Sequence, residues 1–285
     1  MSDGFSWIDS HAHLTMFDRK EVPGILERAS RRGVAGILVP ATCRDDLDDA
    51  IGLSEEYPHQ VVAAAGLHPH EAASLDAGLK RQIERALRRD GVVAVGEIGL
   101  DYHYMNSPRE DQLAAFEWQL DLAMETGRPV ILHNRESWDD LEARLAERQG
   151  GLRGVCHSFS EGPDEGLRVM ELGLRVGISG MVTFKAAHNI REMVAVLEPD
   201  LVLVETDSPF LAPTPHRGKS NEPSYVPLVG QRLAEEWGKP AREIASLSTA
   251  GFLELFDIGE GWPGGLADAR SSSGGDRAAS ARSSD

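Results

Sequence analysis

The sequence predicts an α/β protein of the (β/α)₈ or TIM-barrel type, and three observations indicate this fold class. Short apolar runs alternate with longer amphipathic runs, which is the pattern of a parallel sheet whose strands are connected by helices. Eight such units can be recognised along the chain. The length of 285 residues accommodates the about 250 residues that a barrel of this type occupies. We therefore expect one barrel domain over residues 1–259.

The predicted strands are short runs of β-branched or small apolar residues, and several of them run directly into Gly, Pro or a polar cluster. In chain order they are residues 5–9, 35–40, 61–66, 92–97, 129–133, 153–157, 174–179 and 200–205. The predicted helices follow them at about 21–32, 46–56, 75–90, 108–126, 136–148, 163–172, 189–197 and 224–237. Residues 110–126 show the clearest helical spacing of apolar side chains.

A last helix near residues 241–256 completes the predicted barrel, and the composition changes after it. Residues 260–285 are rich in Ser, Ala, Gly and Arg and contain few large apolar side chains, so we expect a disordered tail.

The overall composition is that of an ordinary globular protein, with 41% hydrophobic and 26% charged residues. The two cysteines, Cys43 and Cys156, cannot form a disulfide framework and fit a reducing compartment. No signal-peptide pattern and no run approaching about 18 apolar residues is present. We therefore expect a cytoplasmic protein without membrane association, and no obligate protein partner is evident.

The formal net charge of −17 argues against a protein that holds nucleic acid through a basic surface. It does not exclude a nuclease, because bound divalent cations supply positive charge locally, at the reacting group.

Two histidines follow the first predicted strand at a spacing of two, in the run Asp9-Ser10-His11-Ala12-His13. Alternate residues of a strand point to the same side, so both imidazoles can be directed at one point above the barrel. The alternative is that they are surface histidines of a turn.

Four further strands favour a metal site because each of them runs into residues that bind metals. Barrel enzymes carry their active sites at the carboxyl ends of the strands. The six candidate ligands are His11, His13, Glu97, His133, His157 and Asp207. Six imidazole and carboxylate ligands are too many for one tetrahedral ion, whereas two ions that share Glu97 would use them all.

The same segments resemble the TatD family of metal-dependent deoxyribonucleases, a branch of the amidohydrolase-like barrels, over nearly the whole barrel. The resemblance is carried by Asp9-Ser-His11-Ala-His13, Gly66-Leu-His68-Pro-His70, Gly96-Glu97-Ile-Gly-Leu-Asp101-Tyr102, His133-Asn-Arg135-Glu136, Cys156-His157-Ser-Phe159, Glu205-Thr-Asp207-Ser-Pro209 and Pro215-His-Arg217-Gly218-Lys-Ser-Asn221-Glu222-Pro223.

This resemblance implies a role for each matched position. His11, His13 and Asp207 would bind a first ion, His133 and His157 a second ion, and Glu97 both. The implied catalytic residues are Asp207, which would take the proton of the attacking water, and Glu205, which would assist the water or a further metal. The implied activity is 3′–5′ exonucleolytic cleavage of DNA, at single strands or 3′ ends, with two divalent ions (Mg²⁺, Mn²⁺ or Zn²⁺).

Two further residues are candidates for substrate binding. His68 and Arg217 could contact phosphate, since a planar guanidinium matches a phosphate group well; a salt bridge within the protein is the alternative for Arg217. Tyr102, Tyr104 and Phe159 could stack on bases or pack within their loops.

Three other functions remain open at this level. One is a metal-dependent deacylase of D-aminoacyl-tRNA, and another is an amidohydrolase of small cyclic amides. Glu97 argues against the second, because many such enzymes carry a carbamylated lysine at that position. A non-enzymatic scaffold is the third, although none of the six ligand positions has lost its ligand residue.

Overall fold

The computed structural model describes residues 6–148, 150–259 and 261–263 and confirms the predicted barrel. Eight parallel strands pair in chain order to form one sheet. They are β1 (Trp7–Asp9), β2 (Val34–Pro40), β3 (Val61–Ala65), β4 (Val92–Asp101), β5 (Val130–Arg135), β6 (Gly154–Cys156), β7 (Arg175–Ile178) and β8 (Val202–Val204). The first and last strands meet where the Ser10 N–H donates to the Val204 carbonyl at 3.0 Å and where Ala12 bridges Ser208.

Helices connect successive strands and surround the sheet, as the alternating pattern predicts. They are α1 (Val22–Arg31), α2 (Arg44–Glu56), α3 (Ala77–Ala86), α4 (Arg109–Thr126), α5 (Trp138–Ala146), α6 (Pro163–Glu171), α7 (His188–Val196), α8 (Val226–Trp237) and α9 (Ala241–Leu255). Helix α4 ends where Gly127 takes a left-handed conformation (φ 65°), which a residue without Cβ adopts at little cost. No helix in the described part of the chain combines the length and the hydropathy needed to cross a bilayer.

The core has two layers, because each strand buries one face inside the barrel and the other against the helices. The inner layer contains Ile8, Ile131 and Leu203 and is continued by Phe252 of α9 and by Phe256, which follows this helix. Arg153, the residue before β6, donates to the Leu255 carbonyl at 2.9 Å, which places the end of α9 at the amino ends of the strands. Helix α9 thus closes one end of the barrel and leaves the carboxyl ends free to carry a site.

The predicted disordered tail lies, from residue 264 onward, outside the described residues. Trp262 lies in the described part and packs against the closed end of the barrel. Its ring stacks on Phe252, with centroids 5.9 Å apart, and its Nε1 donates to the Pro58 carbonyl at 3.0 Å.

Strands β4 and β5 do not end at the residues that the sequence suggests. We expected them to end at Glu97 and His133, but β4 continues to Asp101 and β5 to Arg135. The pairing of the two strands changes register between Val95 and Ile98, as in a β-bulge. A bulge redirects side chains locally, and Glu97 lies within this irregularity.

The packing of α8 on β1 gives a test of the fold. Gly230→Ala should lower the free energy of unfolding by about 1–3 kcal/mol, because a Cβ at Gly230 would overlap the indole of the buried Trp7. Urea denaturation measures the change. The matched control is Gly52→Ala in α2, where the nearest atom to an added Cβ is Arg19 Nη2 at 4.0 Å. That variant should gain about 0.5–1 kcal/mol, and equal effects of the two substitutions would contradict the packing argument.

Candidate metal centre

The six predicted ligand residues converge at the carboxyl end of the barrel, in two groups that meet at Glu97. In the first group, His11 Nε2 lies 3.2 Å from His13 Nε2 and 3.3 Å from Glu97 Oε2. Asp207 Oδ1 lies 3.2 Å from His13 Nε2 and 3.9 Å from His11 Nε2. Ligand atoms about 2.1 Å from a tetrahedral ion are separated by roughly 3.4 Å. The spacing of the His11, His13 and Glu97 atoms therefore fits one divalent ion, and Asp207 Oδ1 lies close to both imidazole nitrogens.

The second group uses the other oxygen of the same carboxylate. Glu97 Oε1 lies 2.9 Å from His133 Nδ1 and 2.9 Å from His157 Nε2, and these two nitrogens are 3.4 Å apart. The Glu97 side chain is 2% exposed. One buried carboxylate thus offers an oxygen to each group, which is the arrangement of a bridging ligand.

An unsatisfied buried atom supports the fit. Glu97 Oε2 is buried and has no hydrogen-bond partner among the described residues. A buried carboxylate oxygen without a partner is costly, and a cation held with His11 and His13 would satisfy it. The donor set of imidazoles and carboxylates is one that divalent ions accept. The residues present therefore fit a metal centre.

Electrostatics keep the central carboxylates ionised. Burial would raise the pKa of Glu97, but His157, His68 and His11 hold it well below its usual value. Burial likewise opposes ionisation of Asp207, whose pKa is nevertheless lowered, mainly by the hydrogen bond with His13. Both groups can therefore neutralise bound cations.

Asp101 is a residue to which the sequence assigns no role, and it orients two histidines of the site. Its Oδ2 lies 3.1 Å from His133 Nε2 and 2.9 Å from His70 Nε2. Its Oδ1 accepts the backbone N–H groups of His103 and Tyr104 at 3.0 and 2.8 Å. A carboxylate on the far nitrogen of a ligand imidazole fixes the ring and its tautomer. The even spacing of Asp101 from Glu97 in one strand is a sequence signal that could have identified it.

We expect Asp101→Asn to weaken ion binding at the second group by about 10–100-fold, because the Asn oxygen stays with the His103 and Tyr104 N–H groups and its NH₂ faces His133 Nε2. Titration of metal-free protein with Co²⁺, followed by visible absorption, measures the affinity. The control is Asp140→Asn, since Asp140 pairs with Tyr102 and Arg109 and not with a candidate ligand. Wild-type affinity in the Asp101 variant would refute the orienting role.

Glu205 is not brought into either ligand group. Its Oε1 accepts the Ser158 backbone N–H at 2.6 Å and lies 3.4 Å from His157 Nδ1, and its Oε2 lies 3.4 Å from Ser10 Oγ. The side chain is fully buried behind His157. This position supports an orienting role toward His157 more than the direct catalytic role that the sequence suggests.

His68 lies beside the second group, and one hydrogen bond determines whether its Nε2 is a donor or an acceptor. Its Nε2 is 3.5 Å from Glu97 Oε1, while its Nδ1 accepts the His70 backbone N–H at 3.2 Å. Burial is the largest influence on this imidazole and lowers its pKa to about 4, so the ring is neutral at pH 7. Since Nδ1 accepts, the single proton resides on Nε2. His68 therefore presents a hydrogen-bond donor to the site rather than a lone pair.

Arg217 is exposed and forms no ion pair with another described residue; its guanidinium lies over the Phe184 ring, 3.6 Å from the centroid.

The three aromatic residues that the sequence suggests for base stacking differ in their contacts and exposure. The Tyr102 hydroxyl donates to Asp140 at 2.5 Å, and Phe159 is buried against Trp138. Tyr104 is 54% exposed, so of these three rings it is the one available for stacking.

The comparison with known proteins agrees with this geometry. A family model described as "TatD related DNase" matches residues 8–257. An uncharacterized metal-dependent hydrolase of Bacillus subtilis, YabD, is 36% identical over 88% of this chain and 98% of its own length. A protein of Pectobacterium parmentieri named "3'-5' ssDNA/RNA exonuclease TatD" is 32% identical over 85% of this chain and 94% of its own length.

A solved structure gives the same result. The crystal structure of YjjV, a TatD homologue from Escherichia coli K12, matches with a TM-score of 0.84 and 33% identity. The match covers 89% of this chain and 98% of YjjV. The family model spans every residue of the two ligand groups. The chain therefore belongs to the TatD family of metal-dependent hydrolases.

Proposed function

We propose that this hydrolase cleaves phosphodiester bonds of DNA with two divalent ions and acts as a 3′–5′ exodeoxyribonuclease. The observation that carries the proposal is the position of Glu97, which offers one buried oxygen to each of two ligand groups. Paired ions are well suited to phosphoryl chemistry, where attacking and leaving oxygens must both be stabilised. The name of the Pectobacterium relative supports a nucleic acid substrate.

In this proposal His11, His13 and Asp207 would hold one ion, His133 and His157 would hold the other, and Glu97 would contribute an oxygen to each. When bound, the ions neutralise charge on the phosphate and increase the acidity of water. Mg²⁺, Mn²⁺ and Zn²⁺ are the candidate ions.

Asp207 receives the proton of the attacking water. Its side chain is 13% exposed, so water reaches the carboxylate. Its lowered pKa keeps the group ionised at neutral pH and ready to accept a proton. His68 donates its Nε2–H to a non-bridging phosphate oxygen, and Arg217 contacts a phosphate of the same strand through its free N–H groups. Glu205 holds His157 in place.

The proposal is tested by adding Mg²⁺, Mn²⁺ or Zn²⁺ to metal-free protein. The substrates are a 5′-labelled oligonucleotide, duplex DNA, bis(p-nitrophenyl) phosphate, D-aminoacyl-tRNA and a small cyclic amide. Shortening of the oligonucleotide from its 3′ end, dependent on an added ion and abolished by a chelator, is the expected result. Deacylation of the tRNA or opening of the amide without DNA cleavage under any ion would replace the proposal with the corresponding alternative.

A further inference from the structure

Exposed apolar side chains are concentrated around the opening above the metal centre. In the described residues seven large hydrophobic side chains are exposed, and four of them lie in segments that follow β1, β4 and β8. The four are Met16, Tyr104, Met105 and Phe210. A single exposed apolar residue needs no explanation, whereas a group of them at one site indicates contact with a ligand.

Phe210 is held on a fixed loop next to the first ligand group. Its ring is 50% exposed and lies 6.1 Å from the His13 ring, edge to face. The buried Asn221 side chain donates to the carbonyls of Phe210 and Thr206 at 2.6 and 2.8 Å. The Phe210 N–H donates to the Asp207 carbonyl at 2.9 Å. These hydrogen bonds hold the Phe210 backbone in a position from which the ring is exposed to solvent.

Tyr104 occupies the corresponding position on the side of the second group. Its ring lies 5.4 Å from the ring of His70, and the Arg135 guanidinium lies 4.7 Å from the Tyr104 centroid. The Tyr104 backbone is held by Asp101, the carboxylate that also orients His133. The two exposed rings therefore flank the metal centre, one beside each ligand group.

Two arginines at the opening lie on aromatic rings and not on carboxylates. Arg217 covers Phe184 and Arg135 approaches Tyr104, and neither has an ion pair with any residue in the described ranges. The Phe184 loop is itself fixed, since its carbonyl accepts from Arg191 Nη1 at 2.7 Å. Stacking uses the face of a guanidinium and leaves its N–H edge for phosphate.

We propose that Phe210 and Tyr104 each stack on one base, on opposite sides of the scissile phosphate, while Arg217 and Arg135 bind the adjoining phosphates. This inference rests on the proposed phosphodiesterase function and assigns the residues that select a single polynucleotide strand. Bases in a duplex are paired and stacked on each other, so they cannot stack on two protein rings across the metal centre. Ribose and deoxyribose strands present the same phosphates and similar aromatic base faces, and both are included in the test.

The experiment compares Phe210→Ala and Tyr104→Ala with wild-type holoenzyme on two classes of phosphodiester. We expect each variant to lose roughly tenfold in kcat/KM on single-stranded DNA and RNA oligonucleotides, mainly through KM. On an abasic single strand, which keeps the phosphates and has no bases to stack, the loss should stay within about threefold. Phe210→Trp and Tyr104→Phe should restore oligonucleotide cleavage. Leu167→Ala removes an apolar side chain in α6 that is 41% exposed; it is the control and should behave as wild type.

Blunt duplex DNA should be cleaved by the wild type at least about tenfold more slowly than the single strand. Unchanged oligonucleotide kinetics in the alanine variants, or an equal loss on both substrates, would overturn the stacking role while leaving the phosphodiesterase function intact. Equal rates on blunt duplex and single strand would likewise overturn the stacking role and leave the phosphodiesterase function intact. A wild-type enzyme that hydrolyses neither phosphodiester under any ion would overturn both proposals.

Discussion

Replacing Asp207 by Asn should lower kcat for phosphodiester hydrolysis by about 10²–10⁴-fold and leave part of the ion content in place. Asn keeps the shape of the side chain and one oxygen toward His11 and His13, but it cannot accept the proton of the attacking water. Asp207 has φ 56°, a left-handed conformation that Asn tolerates better than most residues. The fold should therefore be retained. Steady-state kinetics and metal analysis of the same preparation measure the two quantities.

Glu205→Gln is the matched comparison, because it neutralises the other carboxylate that the sequence nominates as catalytic. Glu205 lies behind His157 and reaches the site through that imidazole, so we expect a smaller loss, about 10–100-fold. A larger loss in the Glu205 variant than in the Asp207 variant would reverse the assignment of the proton acceptor. Wild-type kcat in Asp207→Asn would exclude Asp207 from that role.

The gathering of the six ligand positions could be predicted from the sequence, because it depends on topology. Alternating strands and helices predict a parallel barrel, and the carboxyl ends of parallel strands meet at one rim. His11 and His157, which are far apart in the chain, consequently stack at a centroid distance of 3.9 Å. Each candidate ligand could be recognised because an apolar run is followed by a residue of a metal-binding type.

The remaining features depend on contacts that no local pattern encodes. The continuation of β4 past Glu97 reflects its pairing with β5 and the register change between Val95 and Ile98. The donor role of His68 depends on one backbone N–H, that of His70. Arg217 stacks on Phe184, which lies in a loop that follows a different strand. Because the sequence does not show this contact, a salt bridge within the protein stayed open as an alternative to phosphate binding.

Glu97→Gln should remove ions from both ligand groups and reduce kcat/KM by roughly 10³-fold or more. Glu97 Oε1 faces His133, His157 and His68, while Oε2 faces His11 and His13. A neutral amide cannot bind two cations as a bridging carboxylate does, and its NH₂ would face imidazole nitrogens. His157→Ala is the comparison, since that imidazole belongs to the second group. It should lose one ion, whereas Glu97→Gln should lose both, as measured by atomic spectroscopy after dialysis.

A stability measurement separates the bridging role from a general disturbance of the core. A ligand that binds only the folded state raises its stability by mass action, so added ion should raise the Tm of the metal-free wild type. His157→Ala should keep part of this increase through the first group, and Glu97→Gln should show almost none. If Glu97→Gln instead retained one ion and half of the increase, Glu97 would serve a single group. The proposed pair of ions would then lack its shared ligand, and the first group alone would have to account for hydrolysis.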